Sequence, residues 1–158
     1  MANVSLKSLT ILCSLPFISG CFVGWLGFQD KCYFFSHTTA SWADAGSTCT
    51  QLGSKLVEPK TMEEAWFLIS HSQNLGKVSC CFWMGMSDLV EEGRWEYSST
   101  HDRVTLDLWQ PGEPNAHTEE NCMLMWQPFH GKWGDYFCNK MINFVCEIDN
   151  GDPPQVVG

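Results

Sequence analysis

The chain has 158 residues, enough for one domain of ordinary size and too few for two sizeable cores. Hydrophobic residues make up 44% and charged residues 17%, which excludes a disordered chain, and eight tryptophans are enough for a core with a surplus for a binding face. The net charge of -9 argues against nucleic acid or an anionic membrane surface as partner.

The N-terminus reads as a secretory signal. Lys7 is a weak positive flank, Leu9 to Ile18 is a short apolar run, and Ser19-Gly20 offers small residues for cleavage. A bilayer span needs about 20 apolar residues, more than this run supplies. The expected division is a signal over 1–20, a domain over 21–148 and a frayed tail over 149–158, in a secreted, extracellular product. Cys13 leaves with the signal. Eight cysteines remain: Cys21, Cys32, Cys49, Cys80, Cys81, Cys122, Cys138 and Cys146. An even number outside the cell reads as a disulfide framework. Zinc is disfavoured, because no C-x2-C pair occurs.

In chain order, Phe22 to Phe28 leads into an aromatic strand over Lys31–Ser36. Ser41 caps a helix whose core face carries Trp42, Ala45, Cys49 and Leu52, stopped by Gly53. Thr61 and Glu64 form a capping box for a second helix that ends near Asn74 and Gly76. His71 belongs on its surface and has no ligand partner at helical spacing. Cys81–Asp88 reads as a buried strand, with Gly85 marking a close backbone approach. A turn and short strand follow over Glu91–Tyr97. Ser98–Asn121 is polar, rich in Pro, Gly and His, and without periodicity; a loop this long in a compact domain is usually functional. Three short strands close the chain: Cys122–Trp126, Lys132–Tyr136 and Asn143–Ile148. Trp126 and Trp133 read as core, and His117 and His130 as loop residues that could rim a site.

The long loop concentrates oxygen donors. Glu113-Pro114-Asn115 is followed by Glu119-Glu120-Asn121-Cys122, and carboxylate and amide oxygens are what Ca²⁺ takes. Pro114 also permits a cis bond at low cost. No enzyme is expected. G-x-S-x-G and H-E-x-x-H are absent, the five histidines are scattered, and Cys80-Cys81 is followed by Phe82-Trp83, not by the His-Asp couple of secreted phospholipases.

Taken together, Trp83-Met84-Gly85-Met86, Glu113-Pro114-Asn115, Glu120-Asn121-Cys122, Trp133-Gly134-Asp135, Cys138 and Phe144-Val145-Cys146-Glu147 closely resemble the C-type lectin family, from Cys21 to Ile148. The resemblance implies an α+β C-type lectin fold: two helices and short antiparallel sheets, a long calcium- and sugar-binding loop, and disulfide staples. It implies bridges Cys21–Cys32, Cys49–Cys146 and Cys122–Cys138. By position it makes Glu113, Asn115, Glu120 and Asp135 both the calcium ligands and the carbohydrate-binding residues. Glu113 accepts hydrogen bonds and Asn115 both accepts and donates. That order resembles the mannose-type pattern, so glycans with equatorial vicinal hydroxyls are the expected partners. A role in innate immunity is implied by the family alone.

One position departs from the pattern. The family's usual W-N-D is Trp133-Gly134-Asp135 here, and Gly134 offers neither a metal ligand nor an amide donor. A water could fill the gap, but affinity for metal and sugar is expected to drop, and restoring Asn at 134 is expected to tighten calcium. Asn139 and Asn143 lie out of register. A second calcium site looks eroded, since Asp88, Glu92 and Glu120 match but Ala116 and Asn121 replace carboxylates; one calcium is expected. Cys80 and Cys81 fall outside the three implied bridges. A vicinal bridge, free thiols or an interchain bond remain open, the favoured state being a disulfide-linked homodimer through Cys80 or Cys81. Gly134 also keeps alive a protein-binding or structural module on the same fold with weak or no sugar binding.

Overall fold

The computed structural model describes residues 20–76, 80–115 and 118–150. The expected signal up to residue 19, His117 and the tail from 151 lie outside the described residues. So do Ala116 and residues 77–79.

Among the described residues the chain forms eight strands and two α-helices. β1 (Leu26–Phe28) and β2 (Lys31–Phe35) precede α1 (Trp42–Gln51); β3 (Lys55–Leu56) precedes α2 (Met62–Asn74). β4 (Cys81–Ser87) and β5 (Glu96–Tyr97) follow, then the long loop, β6 (Cys122–Trp126), β7 (Lys132–Tyr136) and β8 (Asn143–Asp149). The strand order is β1-β2-β8-β4-β6-β7, with β3 on β8 and β5 on β4. The sheet is mixed: the named strands pair antiparallel except at one place. β4 and β8 run parallel. Parallel neighbours need a crossover connection, and the whole loop–β6–β7 segment supplies it.

Side-chain alternation splits the core into two layers. Phe82, Met84 and Met86 of β4 pack with Ala65, Leu68 and Ile69 of α2 and with Trp133. Cys81 and Trp83 point the other way, toward Ala45 and Cys49 of α1, with Leu124 and Phe144. β4 is therefore buried on both faces. Gly85 is the residue that lets it pass under the chain at Leu56–Glu58. Its N–H donates to the Val57 carbonyl at 2.8 Å, and a Cβ there would stand 2.8 Å from Glu58 Cγ and from the Leu56 carbonyl oxygen.

Both helix starts form as expected. Ser41 Oγ accepts from Asp44 N–H, and Thr61 Oγ1 from Glu64 N–H, each at 3.2 Å. The capping box at Thr61 is one-sided, however. Glu64 turns away, taking the Lys60 N–H at 2.9 Å, the Tyr33 hydroxyl at 2.6 Å and Lys31 Nζ at 2.8 Å. Leu52 is exposed and caps α1 instead of entering the core. His71 is half-buried against the Phe35 ring at 4.7 Å, and burial lowers its pKa. No helix among the described residues is long and apolar enough to cross a membrane.

The bridges Cys21–Cys32, Cys49–Cys146 and Cys122–Cys138 are all present. Cys80 is joined to Cys81. With both sulfurs committed to each other, neither thiol is free for a second chain, so the expected interchain bond gives way to the vicinal one.

Candidate functional site

The long loop is anchored on β7, the edge strand of the sheet. Trp133 N–H donates to the Leu108 carbonyl and Gln110 N–H to the Trp133 carbonyl, both at 2.8 Å. Leu108 is buried, and Trp109 packs edge-on against Trp95 at 5.0 Å. The aromatic start of the loop is thus core, and only the segment beyond Gln110 is free to carry chemistry. Pro111-Gly112 turns the chain, with Gly112 at φ +95° and Glu113 N–H donating back to the Gln110 carbonyl at 2.8 Å. Pro at the second and Gly at the third turn position is the combination this geometry favours. The Glu113–Pro114 bond is cis.

That turn delivers Glu113 and Asn115 to Asp135 on β7. Asn115 N–H reaches Asp135 Oδ1 at 3.4 Å, and the Asp135 carboxyl lies near enough to Glu113 to raise its pKa. The Glu113 pKa is pushed up to about 7, first by burial, then by Asp135, with Glu120 adding negative charge. Glu120 and Asp135 are both buried. Glu113 Oε2 is buried without a hydrogen-bond partner. The structure therefore brings Asn115 within hydrogen-bond reach of Asp135, with Glu113 and Glu120 as electrostatic neighbours.

No three His, Cys, Asp or Glu side chains among the described residues stand ready as a metal cluster. Still, the donor set fits a hard cation. It is all oxygen, it carries surplus negative charge, and one carboxylate oxygen has nothing to accept. A second such spot adjoins it. Asp88 Oδ1 and Asn121 Oδ1 are buried without partners, and Asp88 N–H donates to the Asn121 carbonyl at 3.2 Å. Burial raises the Asp88 pKa, with a smaller contribution from Asp135. Glu92 is exposed.

Position 134 is not open to water. A Cβ there would lie 2.8 Å from Cδ1 and 3.0 Å from Cε2 of Trp126, and closer still to Nε1. The expected gap is filled by an indole, and an Asn restored at 134 has no room while Trp126 stays. Asn143 is committed elsewhere, its Nδ2 donating to the Ser36 carbonyl at 3.0 Å. Trp133 is fully buried, whereas Trp126 is only half-buried. His130 is exposed in the turn before β7. Two cavities lie elsewhere: about 220 Å³ lined by Trp42, Leu56 and Ser99 among others, and about 300 Å³ beside Ser54 and Glu147. Neither is lined by a residue of the Glu113 loop.

The Lectin C-type domain family matches residues 38–148. A perlucin-like protein of Mytilus galloprovincialis is 31% identical over 135 residues, covering 85% of each chain. Human C-type lectin domain family 17, member A is 35% identical over 127 residues, or 80% of this chain; the match spans only 32% of that longer protein. The carbohydrate-recognition domain of cow CD23, solved in the presence of a GlcNAc2Man3 oligosaccharide, superposes with a TM-score of 0.71 at 33% identity, covering 82% of this chain and 95% of that one. These relatives define a class of non-enzymatic carbohydrate-binding domains. The chain belongs to the C-type lectin domain family.

Proposed function

We propose that the chain is a calcium-dependent lectin whose Glu113, Asn115, Glu120 and Asp135 hold one Ca²⁺ and a mannose- or N-acetylglucosamine-type sugar. The observation that carries this reading is the Glu113 carboxyl. One of its oxygens is buried without a partner, and burial with the nearby Asp135 and Glu120 raises its pKa, so a cation is the natural alternative to a proton there. When bound, Ca²⁺ supplies a Lewis-acid anchor for two vicinal hydroxyls. Glu113 would accept a hydrogen bond from one hydroxyl, and the Asn115 amide would donate to the other. Equatorial diols suit that donor and acceptor order. A glycan array run with and without Ca²⁺ tests the assignment; signals that survive without Ca²⁺ sink it. Calorimetric stoichiometry separates one cation from two, because Asp88 and Asn121 offer two further unpartnered oxygens.

The four disulfides among the described residues favour an oxidising compartment, which supports secretion with residues 1–20 as the signal. Recognition of surface glycans in innate defence is the role we infer from the family. A second reading, a protein-binding module without a working sugar site, is favoured by one observation: Trp126 takes the place of a ligand side chain at 134. Absence of Ca²⁺ binding at millimolar concentration would transfer the assignment to it.

A further inference from the structure

Three of the four disulfides among the described residues tie separate parts of the chain, at sequence separations of 11, 97 and 16. Cys80 and Cys81 are separated by 1. A bridge stabilises mainly by closing a loop, and this one closes none. The backbone around it is held without it. Gln127 N–H donates to the Cys80 carbonyl at 2.9 Å, and Cys81 pairs with Trp126 in the β4–β6 ladder. The two sulfurs also stand in different surroundings. Cys81 is buried in the α1-side layer with Trp83, Leu124 and Phe144, whereas Cys80 is half-buried at the margin of that layer.

We propose that Cys80 is a site of covalent attachment by thiol–disulfide exchange, and that what it takes is a low-molecular-weight thiol. The incoming thiolate bonds to Cys80 Sγ and the Cys80–Cys81 bond breaks. Cys81 leaves with the electron pair and takes up the proton the incoming thiol released. One disulfide is consumed and one is made, so the step needs no oxidant or reductant. Cys81 can stay in place, because a buried cysteine thiol behaves as a small hydrophobe. The same attack at any other bridge opens a loop, and at Cys49–Cys146 both sulfurs are buried as well. Cys21 and Cys138 are half-buried like Cys80, so the missing loop is what singles Cys80 out. A second copy of the chain is not the source of the thiol, since the eight cysteines among the described residues are all paired. The attachment point also lies away from the Glu113 loop. That loop ends at Asn121, which meets Asp88 at the far end of β4. At the rise of a strand, Cys80 and Asp88 stand roughly 20–25 Å apart. An attached group therefore leaves the loop uncovered.

The test uses the full folded domain with glutathione as the probe. After incubation at rising glutathione, free thiols are trapped with N-ethylmaleimide in mildly acidic denaturant, and peptide mass spectrometry locates both groups. The expected product carries one glutathione on Cys80 and one maleimide on Cys81, with the other three bridges intact. It should form at roughly tenfold or more lower glutathione than adducts at those bridges, because only they lose a closed loop. Cys80→Ser is expected to take up no glutathione over that range, with a thermal melt as its folding control. Should Cys80→Ser fail to fold, the wild-type map of adducts still decides. Glutathione arriving first on any cysteine other than Cys80 overturns the proposal. So does opening of all four bridges together, the appearance of covalent dimers in place of the adduct, or the absence of any adduct.

Discussion

At the scale of single residues, Glu113 is where folding and function pull apart. The folded chain holds its proton to about pH 7, whereas an unfolded chain releases it near 4.5. The folded state therefore binds more protons in that window, and its stability falls as pH rises from about 4.5 through 7. Glu147, buried between Lys31 and Lys55, is also raised to about 7, chiefly by burial, and acts in the same sense. Metal-free protein should thus melt at a lower temperature at about pH 8 than at about pH 5. Glu113→Gln should flatten that slope and raise the melting temperature at the alkaline end, because Gln keeps a donor toward Asp135 and removes a charge. An unchanged slope in scanning calorimetry would mean that Glu113 is not held against Asp135. The Glu113-Pro114-Asn115 triplet and Asp135 are legible in the sequence because each sits in a short local motif. The role of Trp126 is not, because its effect on Gly134 depends on a diagonal across two paired strands. A tryptophan and a glycine at matching offsets on a predicted hairpin is the only trace it leaves.

At the scale of elements, the helices and the longer strands can be read from caps and periodicity. Ser41 and Thr61 do what isolated caps do, since capping is a matter of neighbouring residues. β3 has two residues and its pairing with β8 is invisible to periodicity. The parallel β4–β8 contact likewise has no local signal. Gly85 is readable as a close approach, and the approach is to Leu56 and Glu58. Gly85→Ala should cost about 1–3 kcal/mol in chemical denaturation, because its Cβ meets backbone that cannot yield easily. A neutral result would show that the β3–β4 crossing has slack. The Cys49–Cys146 bridge ties α1 to β8 across 97 residues of sequence. Replacing both with Ser should cost about 4–5 kcal/mol by loop-closure entropy. A much smaller loss in urea melts would assign that stability to packing around α1.

At the scale of the molecule, one sheet with a helix on each face presents its functional loop at an edge. Both faces of the sheet are occupied by the two cores, one with α2 and one with α1. The end of β7 and the turn laid along it are left for recognition. Neither of the two cavities involves that turn. Under the calcium reading proposed above, binding should be abolished by chelation. The most direct test is retention of the folded domain on immobilised mannose, with wild type and Glu113→Gln run side by side. Wild type should be retained in millimolar Ca²⁺ and released by EDTA, and Glu113→Gln should pass straight through. Retention of Glu113→Gln, or wild-type binding that EDTA leaves untouched, would contradict the account.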